Sequence, residues 1–211
     1  MISIQLDKIS KRFQFEWIFK DISLNLDDAK AWAITGSNGS GKSTLLKCIS
    51  GQLPLTSGSI LYSINGNSIS DATIYQHLVI SAPYLELPEE FTLQEVLGFH
   101  FKFKKAFKDL SIKKMIDIMY LSEHKNKTVS QFSSGMKQRL KLGLCFFSDV
   151  PLILLDEPSS NLDNKGCNWY LSLVDDFGRD RKILVCSNEP KEYGFCKQNI
   201  VIEHYKTRPK L

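Results

Sequence analysis

Gly36-Ser-Asn-Gly-Ser-Gly-Lys-Ser43 is the stretch of sequence that decides the fold. It fits the pattern G-x-x-x-x-G-K-[ST]. The apolar run AWAIT at residues 31–35 precedes it and predicts a buried strand. Leu45, Leu46 and Ile49 follow it at helical spacing. A strand, a glycine-rich turn and a helix in this order predict a loop that surrounds phosphate groups.

Each residue type in this loop suits phosphate binding. Glycines let backbone N–H groups turn toward phosphate oxygens, and the start of the helix adds positive potential. Lys42 supplies a cationic point charge, and the hydroxyl of Ser43 can bind Mg²⁺. The predicted nucleotide contacts are the residues of the loop and the first helical turn: Gly36, Ser37, Asn38, Gly39, Ser40, Gly41, Lys42, Ser43 and Thr44.

Two carboxylates stand at the end of a second apolar run. Asp156 and Glu157 follow residues 151–155, and parallel sheets hold their ligands at the carboxyl ends of the strands. An Asp-Glu pair alone is more often a solvated turn, but the phosphate loop favours a functional pair. We expect Asp156 to reach Mg²⁺ through the water shell of the metal. Glu157 is expected to polarise the water that attacks a γ-phosphate.

Strands that alternate with helices predict an α/β fold whose parallel sheet is covered on both faces. The Asn65-Gly66 pair predicts a type I′ hairpin turn, and so an antiparallel feature beside the parallel core. We expect a single domain over residues 1–211 with a helical subdomain at about 85–147. Strands are predicted at 2–6, 12–18, 152–155 and 183–186, and helical segments after Ser43 and at 92–120, 132–147 and 165–178.

Two further segments resemble motifs of the ATP-binding-cassette (ABC) transporter family. Phe132-Ser-Ser-Gly-Met-Lys-Gln-Arg139 resembles the signature motif, and Ser160-Asn-Leu-Asp163 resembles the D-loop. Together with the phosphate loop and the carboxylates, these motifs cover nearly the whole chain in the family's order. The resemblance implies a P-loop NTPase core with antiparallel and helical subdomains. It also implies an ATPase that uses ATP and Mg²⁺.

The resemblance also implies that two such chains sandwich two ATP molecules head to tail, as a homodimer or a heterodimer. Ser133, Ser134 and Gly135 would then face the γ-phosphate of the ATP that the other chain holds. From the residues alone, a plain helix N-cap explains Ser133 equally well. An aromatic side chain usually stacks on adenine in this family, and Phe13 suits that role, with Phe15 and Trp17 as alternatives.

Two positions depart from the family pattern. Asn188 stands where the family has a switch histidine, and an amide cannot change its charge near neutral pH. Pro83 stands where a glutamine usually links the metal, the water and the membrane partner, and proline offers no polar side chain. Either Tyr84 or Glu86 substitutes for that glutamine, or the link is dispensable. We still expect hydrolysis, with Lys42, Glu157 and Asn188 as catalytic residues, at a rate that Asn188 and Pro83 make slow.

The run from Gly98 to Lys108 interleaves phenylalanines with lysines. Such a run can indicate stacking on nucleic acid. An amphipathic helix is the better interpretation, with the lysines in solvent and Phe101 and Phe107 packed inward. In the family this region docks the membrane subunits, and the lysines would also attract anionic lipid headgroups.

The composition sets broader limits. The chain has 27 Lys and Arg against 23 Asp and Glu, a mild excess that does not call for nucleic acid. The five cysteines lack metal-ligand spacing and indicate reduced thiols in a cytoplasmic protein. The start of the chain lacks a signal-peptide pattern, and no apolar run reaches the roughly 18 residues needed to span a bilayer.

The leading hypothesis is therefore an ATPase subunit of a membrane transporter, located on the inner face of the cell membrane beside integral-membrane subunits. Ser134 and Met136 resemble the signature of exporter subunits. A regulatory subunit with little hydrolysis is one alternative, because of Asn188 and Pro83. A soluble ATPase that does not serve transport is the other.

Overall fold

Two β-sheets and six α-helices form the frame of the molecule, which is described by a computed structural model over residues 2–206. The strands are β1 (Ile2–Phe13), β2 (Glu16–Asn25), β3 (Ala31–Thr35), β4 (Ser57–Ile64), β5 (Asn67–Ile69), β6 (Leu78–Ser81), β7 (Leu152–Asp156), β8 (Lys182–Cys186) and β9 (Gln198–Val201). The α-helices are α1 (Lys42–Ile49), α2 (Leu93–His100), α3 (Ile112–Ile118), α4 (Ser134–Phe146), α5 (Asn164–Phe177) and α6 (Pro190–Tyr193). Single 3₁₀ turns lie at Leu26–Asp28, Ile74–His77, Phe107–Asp109, Ser122–His124, Val129–Gln131 and Ile202–Tyr205.

The central sheet is parallel, with strand order β6-β7-β8-β3-β9. Its middle strands β7 and β8 are buried along their whole length, as a parallel sheet covered on both faces requires. The carboxyl ends of β3, β7 and β8 meet at one edge, and this edge carries both the phosphate loop and the carboxylate pair. The predicted α/β class is confirmed. The short strands β6 and β9 were not predicted.

The second sheet is antiparallel, with strand order β2-β1-β4-β5. The predicted hairpin turn is confirmed, because Asn65 and Gly66 both have positive φ, at 51° and 83°. The predicted strand at 12–18 is wrong, because a turn at Gln14 and Phe15 separates β1 from β2. Gln14 adopts a φ of 50° there, a conformation that the sequence does not signal with glycine or proline.

Successive side chains along the central strands pack into two separate hydrophobic cores. Ile153 and Leu155 face a core that is shared with α2 to α5, whereas Leu152 and Leu154 face one that is shared with α1 and the antiparallel sheet. Burial on both faces holds the central sheet in place from both sides. The edge that carries the site therefore rests on a rigid scaffold.

The segment between β6 and β7 is mainly helical. Its helices α2, α3 and α4 lie within the expected subdomain, although the boundaries at 85 and 147 stay a prediction. Thr92 caps α2 with a capping box, in which its hydroxyl accepts from the Glu95 N–H and the Glu95 carboxylate accepts from the Thr92 N–H.

The amphipathic helix predicted for residues 98–108 is wrong. Helix α2 ends at His100, and Lys108 and Asp109 have positive φ. The chain instead pairs with the residues that follow α4, since the Phe107 N–H donates to the Phe147 carbonyl (2.7 Å) and the Asp149 N–H donates to the Lys105 carbonyl (2.8 Å). These long-range hydrogen bonds replace the helical ones. The predicted inward packing of Phe101 and Phe107 is nevertheless seen, since both are half-buried.

All five cysteine thiols are free, and four of them are buried. Within residues 2–206, no helix is long and apolar enough to cross a bilayer. The same residues hold no cluster of three or more His, Cys, Asp or Glu side chains suited to a metal ion.

Candidate functional site

The phosphate loop joins β3 to α1 at the carboxyl edge of the central sheet. Its three glycines all have positive φ: 145° at Gly36, 74° at Gly39 and 111° at Gly41. At Gly41 a methyl group would overlap the side chain of Ile18 on β2, so the loop also needs glycine there for close approach. The loop therefore has the tight backbone that phosphate binding requires.

Lys42 begins α1 and points its side chain back into the loop. Its ammonium group donates to the Gly36 carbonyl (2.7 Å) and the Ser37 carbonyl (3.1 Å), and the side chain is buried. Beside it, the hydroxyl of Ser40 is buried and has no hydrogen-bond partner among the described residues. A cation and an unpaired hydroxyl facing the same loop match the needs of a phosphate group.

Ser43 and Asp156 meet at the edge of the sheet. The Ser43 hydroxyl hydrogen-bonds the carboxylate of Asp156, which is the last residue of β7 and only 2% exposed. Burial raises the pKa of Asp156, while the Ser43 hydrogen bond lowers it, the charge of Glu157 raises it and Lys42 lowers it. The two predicted metal ligands are thus adjacent, and a hydroxyl with a carboxylate is an oxygen pair of the kind that Mg²⁺ prefers.

Glu157 follows in a left-handed backbone conformation, with a φ of 47°. Its N–H donates to the Cys186 carbonyl (2.9 Å), and its side chain is exposed. It lines a cavity of about 420 Å³ together with Asn38, Ser160 and Asn188. A carboxylate beside an open cavity is placed to contact water.

Asn188 reaches the phosphate loop from the end of β8. Its side-chain amide donates to the side-chain oxygen of Asn38 (2.7 Å). The residue in the place of the switch histidine therefore touches the loop directly. This contact is between neutral amides, so protonation cannot control it near neutral pH.

The loop after β6 carries Pro83 and Tyr84. The Lys47 ammonium group lies over the Tyr84 ring, 3.7 Å from the centroid of the ring. Burial raises the pKa of Tyr84, and the charge of nearby Asp156 raises it further. Of the two substitutes suggested by the sequence, Tyr84 therefore lies near Asp156, one of the two predicted metal ligands. Lys141 holds the backbone here by donating to the carbonyls of Ala82 (3.2 Å) and Pro83 (3.4 Å).

A second cavity, of about 490 Å³, opens on the other side of the loop. It is lined by Phe15, Glu16, Trp17, Ile18, Gly39, Ser40 and Lys206. Phe13 is not among the residues that line it, and the ring of Phe13 instead lies 5.0 Å from the Lys11 ammonium group. The adenine role of Phe13 stays a prediction, while the cavity favours the alternatives Phe15 and Trp17.

The signature segment begins α4, with Ser133 as its N-cap. The Ser133 hydroxyl accepts from the Met136 N–H (3.2 Å), as the plain cap interpretation predicts. Neither of the two cavities beside the loop is lined by Ser133, Ser134 or Gly135. Gly135 instead packs against the D-loop of the same chain, where a methyl group would lie 3.1 Å from the Asn161 carbonyl oxygen.

Three side chains near the site were missed by the sequence analysis. Glu192 on α6 is buried and accepts hydrogen bonds from the Ser159 N–H (2.8 Å) and the Ser159 hydroxyl. Cys186 contributes a buried thiol, which donates to the Lys42 carbonyl (3.5 Å). Glu203 contacts Ser37 of the loop. All three depend on contacts between distant segments, and no local motif marks them.

Comparisons with known proteins agree with this geometry. Residues 19–160 match the family described as "ABC transporter". The chain is 30% identical, over 77% of its length, to the uncharacterized ABC transporter ATP-binding protein YcbN of Bacillus subtilis, and it covers 53% of that protein. It is also 30% identical, again over 77% of its length, to the taurine import ATP-binding protein TauB of Roseobacter denitrificans, of which it covers 62%. The chain thus spans between half and two thirds of the length of these two relatives.

Solved structures show the same fold. The dimeric structure of a bacterial ABC transporter cassette superposes with a TM-score of 0.77 at 19% identity, covering 94% of each chain. The family match spans more than half of the chain and includes the phosphate loop and both carboxylates. This chain therefore belongs to the ABC transporter family.

Proposed function

We propose that this chain binds ATP with Mg²⁺ on the phosphate loop and hydrolyses it to drive a membrane transporter. The observation that carries the proposal is the convergence of three strand ends on one loop. Lys42 follows β3, the Asp156–Glu157 pair ends β7, and Asn188 follows β8. Few arrangements other than a nucleoside triphosphatase need a cation, a metal-ligand pair and a water-contacting carboxylate at one phosphate loop.

The residues present fit a magnesium ion. Ser43 and Asp156 already lie in hydrogen-bond contact, and the charges of Lys42 and Lys47 favour the ionised carboxylate. Ser43 would bind the metal directly, and Asp156 would hold it through water. Mg²⁺ at this point would neutralise charge on the β- and γ-phosphates.

Hydrolysis follows from the positions of the remaining groups. Lys42 would leave the carbonyls of Gly36 and Ser37 to bind phosphate oxygens. Glu157 would accept a hydrogen bond from a water in the adjoining cavity and aim it at the γ-phosphate. Asn188 would donate its amide hydrogen to a γ-phosphate oxygen. Trp17 or Phe15 would cover the adenine ring, a role that the sequence assigned first to Phe13.

The site is proposed to be completed by a second copy of the cassette, in a homodimer or a heterodimer that closes when ATP binds. Supporting this, Ser133, Ser134 and Gly135 lie outside the cavities at their own chain's loop, so they are available to ATP held by a partner. The similarity to a dimeric cassette structure supports the same arrangement.

Integral-membrane subunits are the proposed partners, with the chain on the cytoplasmic face of the membrane. A largely apolar cavity of about 360 Å³ supports docking, since it lies between β6 and the helices α2 and α4. Its lining includes Leu78, Leu85, Leu87, His100 and Leu144. Export is the proposed direction, on the resemblance of the signature alone, and TauB shows that similar cassettes also serve import.

A regulatory subunit that binds ATP with little turnover is the second candidate. The neutral contact between Asn188 and Asn38 favours it, because no group at position 188 can become cationic. The Asp156–Glu157 pair opposes it, since a site without turnover would not need a water-contacting carboxylate.

ATP binding tests the basic proposal. Titration calorimetry with ATP and Mg²⁺ should show saturable binding by the unaltered protein, weakened at least about tenfold in Lys42→Ala, because a charge-assisted phosphate contact is lost. Lys113→Ala is the matched control, because Lys113 is exposed on α3. Equal binding by Lys42→Ala and Lys113→Ala would contradict the proposed site.

A further inference from the structure

The segment that follows β9 touches the phosphate loop. Glu203 lies in the 3₁₀ turn Ile202–Tyr205 and accepts two hydrogen bonds through its Oε1 atom. One comes from the Ser37 backbone N–H (2.5 Å) and the other from the Ser37 hydroxyl (3.0 Å). A carboxylate located 166 residues away in sequence thus hydrogen-bonds the second residue of the loop.

The fit between this carboxylate and the loop is close. A methyl group at Gly36 would overlap the second carboxylate oxygen of Glu203, and it would lie 2.7 Å from both Ile202 and Ser40. The φ of 145° at Gly36 also disfavours any side chain. The hydrogen bond from the Ser37 N–H lowers the pKa of Glu203, so the carboxylate is ionised at neutral pH.

Ser37, which Glu203 holds, is also one of the two residues whose carbonyls accept hydrogen bonds from Lys42. The Lys42 ammonium group donates to the carbonyls of Gly36 and Ser37. A shift of Ser37 would therefore move both carbonyls and the ammonium group bonded to them. Glu203 is linked to the main cation of the loop through two backbone residues.

We propose that Glu203 is a positioning residue for nucleotide binding, which fixes the first turn of the phosphate loop and so holds Lys42 at the loop until ATP binds and the ammonium group moves to the phosphates. The proposal rests on the ATP site proposed above. Glu203 itself would not contact the phosphates, and its hydrogen bonds to Ser37 would persist with ATP bound.

The charge of Glu203 and its hydrogen bonds to Ser37 would affect ATP affinity in opposite directions. A carboxylate near the triphosphate repels it, so loss of the charge alone would tighten ATP binding. Loss of the two hydrogen bonds would loosen the loop and weaken ATP binding. Glu203→Ala removes both the charge and the hydrogen bonds, whereas Glu203→Gln removes the charge and keeps an oxygen that can accept from Ser37.

The experiment compares ATP affinity and turnover in these two variants, with Glu123→Ala as a control at an exposed carboxylate. We expect Glu203→Ala to raise the Kd for ATP about tenfold. Its kcat at saturating ATP should stay within about twofold, because ATP restores the loop once bound. Glu203→Gln should bind ATP as tightly as the unaltered protein or more tightly.

Three results would overturn the proposal: unchanged or tighter ATP binding by Glu203→Ala, equal weakening by Glu203→Ala and Glu203→Gln, or a fall in kcat with the Kd unchanged. If Glu203→Ala folds poorly, Glu203→Asp decides instead. Its shorter side chain keeps the charge but withdraws the oxygen, so ATP affinity should fall. Lys42→Ala distinguishes failure of the Glu203 proposal from failure of the proposed ATP site. If the ATP site is correct, Lys42→Ala must lose ATP binding even where the Glu203 variants do not.

Discussion

Glu157, the residue proposed to polarise the attacking water, has an unusual backbone conformation where it follows a buried strand. Its φ of 47° is rare for a residue other than glycine. Such a conformation costs on the order of 1–3 kcal/mol and persists only where the surroundings enforce it. The hydrogen bond from its N–H to the Cys186 carbonyl provides that enforcement. In this conformation Glu157 lines the cavity that Asn38 and Asn188 also line.

Replacement of this carboxylate tests its role as the residue that polarises water. Glu157→Gln should lower the rate of ATP hydrolysis at least about 100-fold, because general-base assistance is lost. ATP affinity should be retained, because Glu157 does not hold the phosphates. Phosphate release and ATP titration measure the two effects, with Glu123→Gln as the control at an exposed glutamate. A hydrolysis rate that remains within tenfold would contradict the assignment.

The side chain of Asn188 does not change its charge with pH, whereas a histidine at this position would. In Asn188→His the imidazole would have a pKa near 6.5 and would become cationic below it. A cation beside the γ-phosphate favours ATP, so the KM ratio of the histidine variant to the unaltered protein should fall as pH drops through about 6.5. The check is a series of steady-state measurements from pH 5.5 to 8, and a constant ratio would show that position 188 does not face the phosphate.

At the scale of elements, the segment after α2 is anchored by His100. The Ser148 hydroxyl donates to the Leu144 carbonyl (2.6 Å), so its oxygen accepts from Nε2 of His100 (2.8 Å). Burial, with a contribution from the charge of Lys104, lowers the pKa of His100 from 6.5 to about 4. The neutral imidazole is therefore the form that the fold stabilises.

This pKa predicts a loss of stability in mild acid. Between pH 6.5 and about 4 the unfolded chain binds a proton at His100 that the folded chain does not. The free energy of unfolding therefore has its full value from this group above pH 6.5. It falls by up to about 3 kcal/mol as pH drops toward 4. In His100→Gln, which keeps a hydrogen-bond donor but does not titrate, the free energy of unfolding should depend less steeply on pH than in the unaltered protein. Urea unfolding at several pH values measures this dependence. Identical slopes would refute the prediction.

Arg181 joins the carboxyl ends of two helices. Its guanidinium donates to the carbonyls of Phe146 (2.7 Å), the last residue of α4, and of Phe177 (2.5 Å), the last residue of α5. It also donates to the carbonyl of Ser148 (2.7 Å), shortly after α4. The side chain is buried, so these carbonyls have little access to water.

Loss of this guanidinium should destabilise the fold substantially. Arg181→Met keeps the apolar stem but removes the guanidinium donor from three carbonyls, of which that of Ser148 keeps a hydrogen bond from the Val150 N–H (3.0 Å). The free energy of unfolding should fall by about 3 kcal/mol or more. Arg179→Met is a matched control, because Arg179 is exposed two residues earlier. A fall below about 1 kcal/mol in Arg181→Met, measured by urea unfolding, would mean that water replaces the guanidinium.

The elements also show what sequence reasoning can reach. The phosphate loop, the carboxylate strand and the hairpin at Asn65 carry local signals, because their backbone requires particular residues or apolar runs. The helix break after His100 carries none, since it arises from hydrogen bonds between residues 105–107 and the residues that follow α4. The contact between Glu203 and Ser37 depends on the fold bringing together two segments that have no shared pattern.

At the scale of the whole molecule, the central sheet separates two cores and carries the site on one edge. Within one chain, the signature residues Ser133, Ser134 and Gly135 do not line the loop cavities, and Gly135 packs against Asn161. In the proposed function, a second copy of the cassette would complete the site. Catalysis is therefore predicted to depend on the association of two chains.

ATP hydrolysis measured across a series of protein concentrations, with Mg²⁺ and saturating ATP, tests this claim most directly. The specific activity should rise cooperatively with protein concentration, because only the dimer holds complete sites, and both Lys42→Ala and Glu157→Gln should abolish it. A specific activity that is independent of protein concentration, or that survives Glu157→Gln, would contradict the account.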